Sequence, residues 1–516
     1  MRILRLYIGD YRVLNKLDMR FDPGQPKEVK DRNYHLDFLV GVNGTGKSTA
    51  LRLLGRIFKG VQKSFDELRD LPFVLEYFLE SQNTKVCISN IHPEELTPLE
   101  MYFVTTASGL NEAYETDEPD ESHLIDNVPA NLLPERIIAY TTGNEVEWSA
   151  NSSDTVFDIS SLESIKSLPV HERQLKELPG WLSENDPTRQ EQRTEDVRFR
   201  FIPQAQLVLV ALSGLLQHSM RGEKESPLQC VLKETGINKL TGFTLHFKLP
   251  YASDVERGNL WQQMGQHATR AIRSGSEYRL IYDLSNSSLA SKLLESNGGA
   301  LPFFETLAGW YSGENPILSK VTLLIERTPI EPQKEGEEEK IPPLHTWNWL
   351  SDGERSFVGR MCLFSLFGEV ESLILLDEPE VHFNDYWKRH IVSTMHQVFE
   401  KKIGTAVSHV LVATHSSISL SDVHPEDILV LERQDLVTSA TSIPRIQTFG
   451  ADPSEIMVHV FGAPYAEGAF SVNEIENWLN EISHKTIQEQ RDYLSSVAPG
   501  YWAYRIRREM TGVSLK

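Results

Sequence analysis

Cysteine is scarce: Cys87, Cys230 and Cys362 are the three in 516 residues. They lie too far apart for a CxxC pair or a zinc-type spacing and read as reduced core residues, in a chain long enough not to need staples. Long hydrophobic runs are also missing, since no span approaches the roughly 20 apolar residues of a membrane helix. The first residues, MRILRLYIGDYRV, break their apolar run at Arg5, Gly9 and Asp10, unlike a cleavable signal peptide. The expected location is therefore cytoplasmic, with no membrane role. Basic residues are outnumbered, 51 Lys and Arg against 73 Asp and Glu, for a net charge of −22. Such a balance argues against a protein coated by nucleic acid, though a local basic groove stays open. The compact basic cluster Arg505, Arg507 and Arg508 reads as a solvated helix face. No fixed-period repeat and no sustained heptad run is visible.

What is present is the balance of a soluble globular protein, 40% hydrophobic and 24% charged. The length implies one large domain with an insertion, or two domains. Apolar patterning predicts strands at Ile3 to Ile8, Leu14 to Phe21, His35 to Val40, Lys85 to Ser89, Met101 to Thr106 and Glu135 to Tyr140. A helix is predicted from Thr49 to Phe58. Further on, helical segments (Gln204 to Gln217, Leu289 to Leu294) alternate with strand-like Thr244 to Leu249 and Tyr278 to Leu284. The acidic stretch Thr116 to Glu121 and the charged, proline-flanked Glu331 to Pro343 read as loops. Val472 to Leu494 reads as an amphipathic helical stretch suited to docking or dimerisation.

Chemistry concentrates in two places. Residues Gly41-Val42-Asn43-Gly44-Thr45-Gly46-Lys47-Ser48, followed by Thr49, match GxxxxGK[ST] between a predicted strand and a predicted helix. In that context the backbone N–H groups and the helix N-terminus can cradle phosphates, Lys47 can reach the β- and γ-phosphates, and the Ser48 hydroxyl can ligate Mg²⁺. Leu373 to Leu376 form a short apolar strand ending in Asp377-Glu378. There Asp377 would hold the metal through water, while Glu378, free of a metal bond, would orient or deprotonate the attacking water.

Leu350-Ser351-Asp352-Gly353-Glu354-Arg355 looks like the signature of ABC ATPases, with Ser351 placed 26 positions before Asp377, and His415 follows Asp377 by 38. The chain thus resembles ABC-type ATPases. That resemblance implies that Ser351, Gly353 and Glu354 act in trans on nucleotide held by a second subunit, and that His415 is the switch histidine near the γ-phosphate. Asp352 stands where many transporters have glycine or serine. Pro379-Glu380-Val381-His382 after the carboxylate pair is similar to the DEPE-[IV]-H segment of soluble ATPases of the RecF, OLD and bacterial-defence branch. The Tyr11-Arg12 pair is similar to that branch's Phe-Arg pair, whose arginine lies near nucleotide; a surface role for Arg12 is the other reading. The Q-loop glutamine has two candidate positions, Gln82 or the ERIIAY-TTGNE segment.

The resemblance covers roughly residues 1 to 60 and 345 to 450, with 304 positions from Lys47 to Ser351 and no heptads between them. It is best with ATPases of anti-phage systems such as the Septu and retron-associated PtuA proteins and OLD-like proteins. It implies an α/β, two-lobed P-loop head with a large, mostly helical inserted subdomain. The expected parts are a P-loop lobe (1–145), the insertion (146–315), the signature, carboxylate and switch part (316–450) and a helical docking or dimerisation tail (451–516). ATP and Mg²⁺ are the implied cofactors, and a second copy of the chain is the implied partner. No Toprim, HNH or PD-(D/E)xK arrangement is evident, so a nuclease, toxin or retron component would be a separate chain. The implied function is an ATPase subunit controlling such an effector. The alternatives are a RecF- or SMC-like repair or chromosome-maintenance ATPase, and an ATP-gated scaffold that scarcely hydrolyses.

Overall fold

Two of the most apolar runs, Ser372–Asp377 (β15) and Ser408–Thr414 (β16), are buried at every position. A strand buried on both faces belongs in the middle of a parallel sheet, where backbone ladders satisfy its polar groups. The computed structural model places them there. It describes residues 1–21, 34–63, 68–91, 98–108, 124–125, 128–149, 198–222, 225–248, 264–285, 288–312, 316–328, 343–400, 406–434, 437–441 and 446–511. Here β15 and β16 pair in parallel with each other, with Tyr34–Val40 (β3) and with Arg136–Thr141 (β8). Phe199–Phe201 (β9), Ile428–Gln434 (β17) and the antiparallel Val437–Thr441 (β18) complete a seven-stranded sheet of order β18-β17-β3-β16-β15-β8-β9.

The two-residue side-chain period divides this sheet between two cores. Leu373, Leu375, Leu411 and Ala413 join the core that holds Lys47–Lys63 (α1). A six-stranded antiparallel sheet covers that side: Leu17–Arg20 (β2), Arg2–Ile8 (β1), Phe73–Leu79 (β4), Thr84–Ile91 (β5), Pro98–Ser108 (β6) and Leu124–Ile125 (β7). Ile374, Leu376, Val410 and Val412 face the other core. That core contains Leu207–Arg221 (α3), Gln229–Thr235 (α4), Ser288–Ser296 (α5), Ala300–Tyr311 (α6) and Asp352–Phe367 (α7), the last against Asp385–Glu400 (α8). Helix α3 is apolar nearly all round and buried at eleven positions, so it sits inside this layer rather than on its surface. Cys362 is buried there, while Cys87 and Cys230 are half-buried, all three as free thiols.

The region expected to be a helical insertion carries helices α3 to α6 and also part of a five-stranded antiparallel sheet. Its strand order is Arg270–Ser274 (β11), Glu277–Asp283 (β12), Ile237–Lys248 (β10), Leu318–Arg327 (β13) and Leu344–Thr346 (β14). Because β10 pairs with β13 along nearly its whole length, the boundary expected at 315 divides, in chain order, two strands of one sheet. Alternation at Phe243, Leu245 and Phe247, all buried, accounts for a strand longer than the Thr244 to Leu249 predicted. The predicted strand Leu14 to Phe21 shortens to β2, because Tyr11 and Leu14 exchange backbone hydrogen bonds of 2.8 and 2.9 Å in a turn.

Short helices Val146–Ser149 (α2), Ser417–Leu420 (α9) and Pro453–His459 (α10) follow β8, β16 and β18. The tail stretch read as one helix is two, Ala469–Asn480 (α11) and Ile487–Ser496 (α12). A Thr486–Glu489 capping box restarts the helix after a turn. With Tyr501–Met510 (α13) they bury Val472, Ile475, Trp502 and Ile506 in a small core of their own. Arg505 lies over the Trp502 ring and pairs with Glu476 at 3.7 Å, so it is not wholly a solvated cation. The acidic stretch 116–121 and residues 331–342 fall outside the described residues. Among the described residues no helix is long and apolar enough to cross a membrane.

Candidate functional site

Parallel pairing brings four strand ends to one edge. The register sets Thr141 opposite Asp377, Asp377 opposite Ala413, and Thr414 opposite Val40. The residues that leave these strands, Gly41, Thr142, Glu378 and His415, therefore converge, although the chain separates Gly41 from His415 by 374 positions. The P-loop, Gly41 to Ser48, wraps the N-terminus of α1. Asn43 and Gly44 are exposed at its crown, and the Gly44 carbonyl accepts from Arg433 at 3.3 Å. At Gly46 φ is +89°, and an added Cβ would stand 2.5 Å from Leu14 Cδ2. The Tyr11–Leu14 turn is thus packed onto the loop, which brings exposed Arg12 to the flank of the site. Arg12 is close enough that its charge opposes that of Arg52 on α1.

Lys47 is buried, and its Nζ donates to the carbonyls of Gly41 (2.8 Å) and Val42 (3.2 Å). Burial draws its pKa down to about 8, against the opposing pull of Glu378, Asp377 and Glu380. The Ser48 hydroxyl donates to Asp377 Oδ1 at 2.7 Å, and Thr141 donates to Oδ2 at 3.1 Å. Thr49 accepts from Arg52 at 3.3 Å. Glu378 has φ +52°, its N–H bonds the Ala413 carbonyl at 2.8 Å, and its own carbonyl accepts from Thr142 at 2.9 Å. Burial, and then the Asp377 charge, raise its carboxyl above the ordinary range, and Lys47 pulls the other way. His415 Nε2 is 3.4 Å from Glu378 Oε1. Burial and then Lys47 lower His415 to about 4, so it is a neutral imidazole near pH 7 and this contact is not an ion pair.

Hydroxyl and carboxylate converging at Ser48 and Asp377 suit a hard cation that brings water or phosphate oxygens as its other ligands. No group of three or more His, Cys, Asp or Glu among the described residues forms a closed metal cage. The residues present could hold Mg²⁺ together with a nucleotide, whose phosphates Lys47 and the loop N–H groups could meet.

The signature residues assemble elsewhere, at the N-terminus of α7. Ser351 caps it by accepting the Glu354 N–H at 3.2 Å, and Glu354 returns to the Ser351 N–H at 2.8 Å and to Arg327 at 2.8 Å. Gly353 lies against the His382 carbonyl and the Trp387 ring. Ser351 and Asp352 are exposed, an arrangement that leaves this helix end open to a second molecule. Gln82 is not brought to the site, because it sits in a turn between β4 and β5 and donates to the Asn131 carbonyl. The TTGNE segment does reach the site, where Thr141 donates to the Asp377 carboxylate and Thr142 to the Glu378 carbonyl. Sequence reading named the TTGNE segment without singling out Thr141 or Thr142, and assigned no role to Arg52 or Arg360. Their only signal was position, directly after an apolar strand or on the helix of a motif.

No family model matches the chain, and no curated protein matches it. Among solved structures it is similar to the SMC head domain from Thermotoga maritima, at 9% identity and a TM-score of 0.33 over 86% of this chain and 99% of that one. It is similar to the Smc head domain with an extended coiled coil bound to the C-terminal domain of ScpA, from Pyrococcus furiosus, at 12% identity and a TM-score of 0.32 over 86% and 96%. The recombination mediator protein RecF-ATPrS matches at 12% identity and a TM-score of 0.26 over 85% and 97%.

Proposed function

We propose that the chain is a Mg²⁺-dependent ATPase that works as a dimer with nucleotide held between the P-loop of one copy and the signature helix of another. The observation that carries this reading is the convergence of Lys47, Ser48, Asp377, Glu378 and His415 at one sheet edge. Lys47 and the loop amides bind the β- and γ-phosphates, and Ser48 and Asp377 hold the cation, which supplies charge neutralisation when bound. Glu378, its carboxylate free of the Ser48 contact and its pKa raised, accepts the proton of the attacking water. Neutral His415 beside it orients that water and meets the γ-phosphate. The exposed end of α7 presents Ser351 to the nucleotide of the other copy, with Gly353 buried behind it against His382 and Trp387. The finer reading is that ATP-driven dimerisation controls a separately encoded effector, a nuclease, toxin or retron component, in anti-phage defence. The likeness of the Asp377 to His382 segment to that branch and the net charge of −22 support it over direct action on DNA. A RecF- or SMC-like repair role is the second reading.

Glu378→Gln tests the site: phosphate release falls about 10²–10⁴-fold, as for loss of a general base, while ATP binding persists and the dimer accumulates with ATP. Ordinary turnover in that variant removes Glu378 from the role. A pull-down of the same variant from cells carrying the native gene neighbourhood separates the finer readings. A stoichiometric effector supports defence, and DNA recovered with the dimer alone supports repair.

A further inference from the structure

Between Glu378 and His382 the backbone enters the left-handed region twice, at φ +52° and +73°, in residues that carry side chains. Such conformations persist only where the surroundings over-determine them. Two buried ionisable groups provide those surroundings. Glu380 is 6% exposed, and its carboxyl group accepts from the Thr414 hydroxyl. It thus ties the segment after Glu378 to the end of β16, where His415 begins. Arg360, the largest fully buried side chain among the described residues, projects from α7. Its guanidinium donates to the Val381 carbonyl at 3.4 Å and to the Tyr140 hydroxyl at 3.2 Å, and lies 4.8 Å from the centroid of the Phe383 ring. Tyr140 immediately precedes Thr141, the residue bonded to Asp377. A guanidinium and a carboxyl group are each costly to bury unless hydrogen-bonded. What the two groups provide is a set of directed bonds to Thr414, Tyr140 and the Val381 carbonyl, around Glu378 and His415.

We propose that Glu380 and Arg360 are positioning residues for ATP hydrolysis, Glu380 clamping the Glu378 segment to His415 and Arg360 tying that segment to the signature helix α7. The inference rests on the proposed ATPase reading and adds to it a route within one chain. A nucleotide of the second copy that seats on Ser351 presses on α7, which meets the catalytic segment at buried Gly353 against His382 and at Arg360 against Val381. Neither residue touches the phosphates, so their effect falls on turnover rather than on binding.

The test uses the full chain with Thr414→Val, which removes the hydroxyl at nearly constant shape, with Glu380→Gln, and with the pair Arg360→Lys and Arg360→Met. Three quantities are measured: affinity for a fluorescent ATP analogue with Mg²⁺, single-turnover hydrolysis, and amide hydrogen exchange without nucleotide. Expected are affinities within about threefold of wild type and hydrolysis slowed about 10–100-fold, the scale of small misplacement of reacting groups. Exchange should accelerate in residues 378–383 and 414–419 but not in α1. Arg360→Lys should retain more turnover than Arg360→Met. Unchanged hydrolysis and exchange overturn the proposal, and so does a proportional loss of affinity, turnover and melting temperature, which marks a general packing role. If the wild-type chain itself hydrolyses no ATP, the ATPase reading fails, and exchange alone then decides whether the clamp exists.

Discussion

Alanine at Gly46 and at Gly44 perturbs neighbouring P-loop positions that share one feature and differ in another. Both glycines have left-handed backbone, φ +89° and +82°. A side chain there costs about 1–2 kcal/mol. At Gly44 the new methyl meets only Arg433 Nη1, at 3.8 Å, so that strain is the whole cost. At Gly46 it falls 2.5 Å from Leu14 Cδ2 and 3.2 Å from Val13 Cγ2. Leu14 is fully buried and has no free space to turn into, so overpacking adds about 1–3 kcal/mol. Gly46→Ala should therefore destabilise by about 2–5 kcal/mol and Gly44→Ala by less than half of that. Equilibrium denaturation of the nucleotide-free chain reads the difference. Leu14→Ala, which removes the obstructing methyl, should couple favourably with Gly46→Ala, so the double variant loses less than the sum of the single losses. Equal losses at Gly44 and Gly46, or strict additivity with Leu14→Ala, would refute the packing of the Tyr11–Leu14 turn on the P-loop. The proximity of Arg12 to the site would fall with it.

A second expectation concerns acid stability. His409 is fully buried; its Nδ1 accepts the Ile3 N–H at 2.9 Å and its Nε2 is 2.6 Å from Asp37. Protonation would break the Ile3 bond, and burial, then the Arg2 and N-terminal charges, hold the pKa well below 6.5. The unfolded chain thus binds a proton that the folded chain refuses, so stability is lost as pH falls below about 6.5. Denaturation midpoints at pH 7 and pH 5 check this, and His409→Asn should flatten the slope. Ser351→Ala should cost about 1 kcal/mol through the lost cap of α7, read by thermal unfolding. It should also slow ATP turnover beyond what that loss explains if, as proposed, the same hydroxyl meets the nucleotide of the second copy. Turnover that tracks stability alone would leave Ser351 a cap only.

The P-loop, the Asp377-Glu378 strand and the signature were legible because each is local. Spacing within a few residues, with the flanking apolar run, encodes the strand, turn and helix that such chemistry needs. The helices around Leu207 and Leu289 and the strands at His35 and Glu135 were legible for the same reason. The choice between Gln82 and the TTGNE segment stayed open because a glutamine in a turn looks alike wherever the turn ends up. Only the parallel register of β8 against β15 decides that Thr141 and Thr142, not Gln82, stand beside the carboxylates. The strands on either side of residue 315 could not be joined by pattern, since β10 and β13 pair across 70 or more positions of intervening chain. Arg360 and Glu380 gave the least notice. An arginine on a helix and a glutamate after a turn are ordinarily solvated, and only the packing of α7 and β16 about the segment after Glu378 buries both. The sequence by itself determined which atoms could bind phosphate, metal and water, because backbone turns and side-chain chemistry are short-range. Tertiary structure alone decided which of them meet, because pairing four distant strand ends depends on long-range burial that no local pattern specifies.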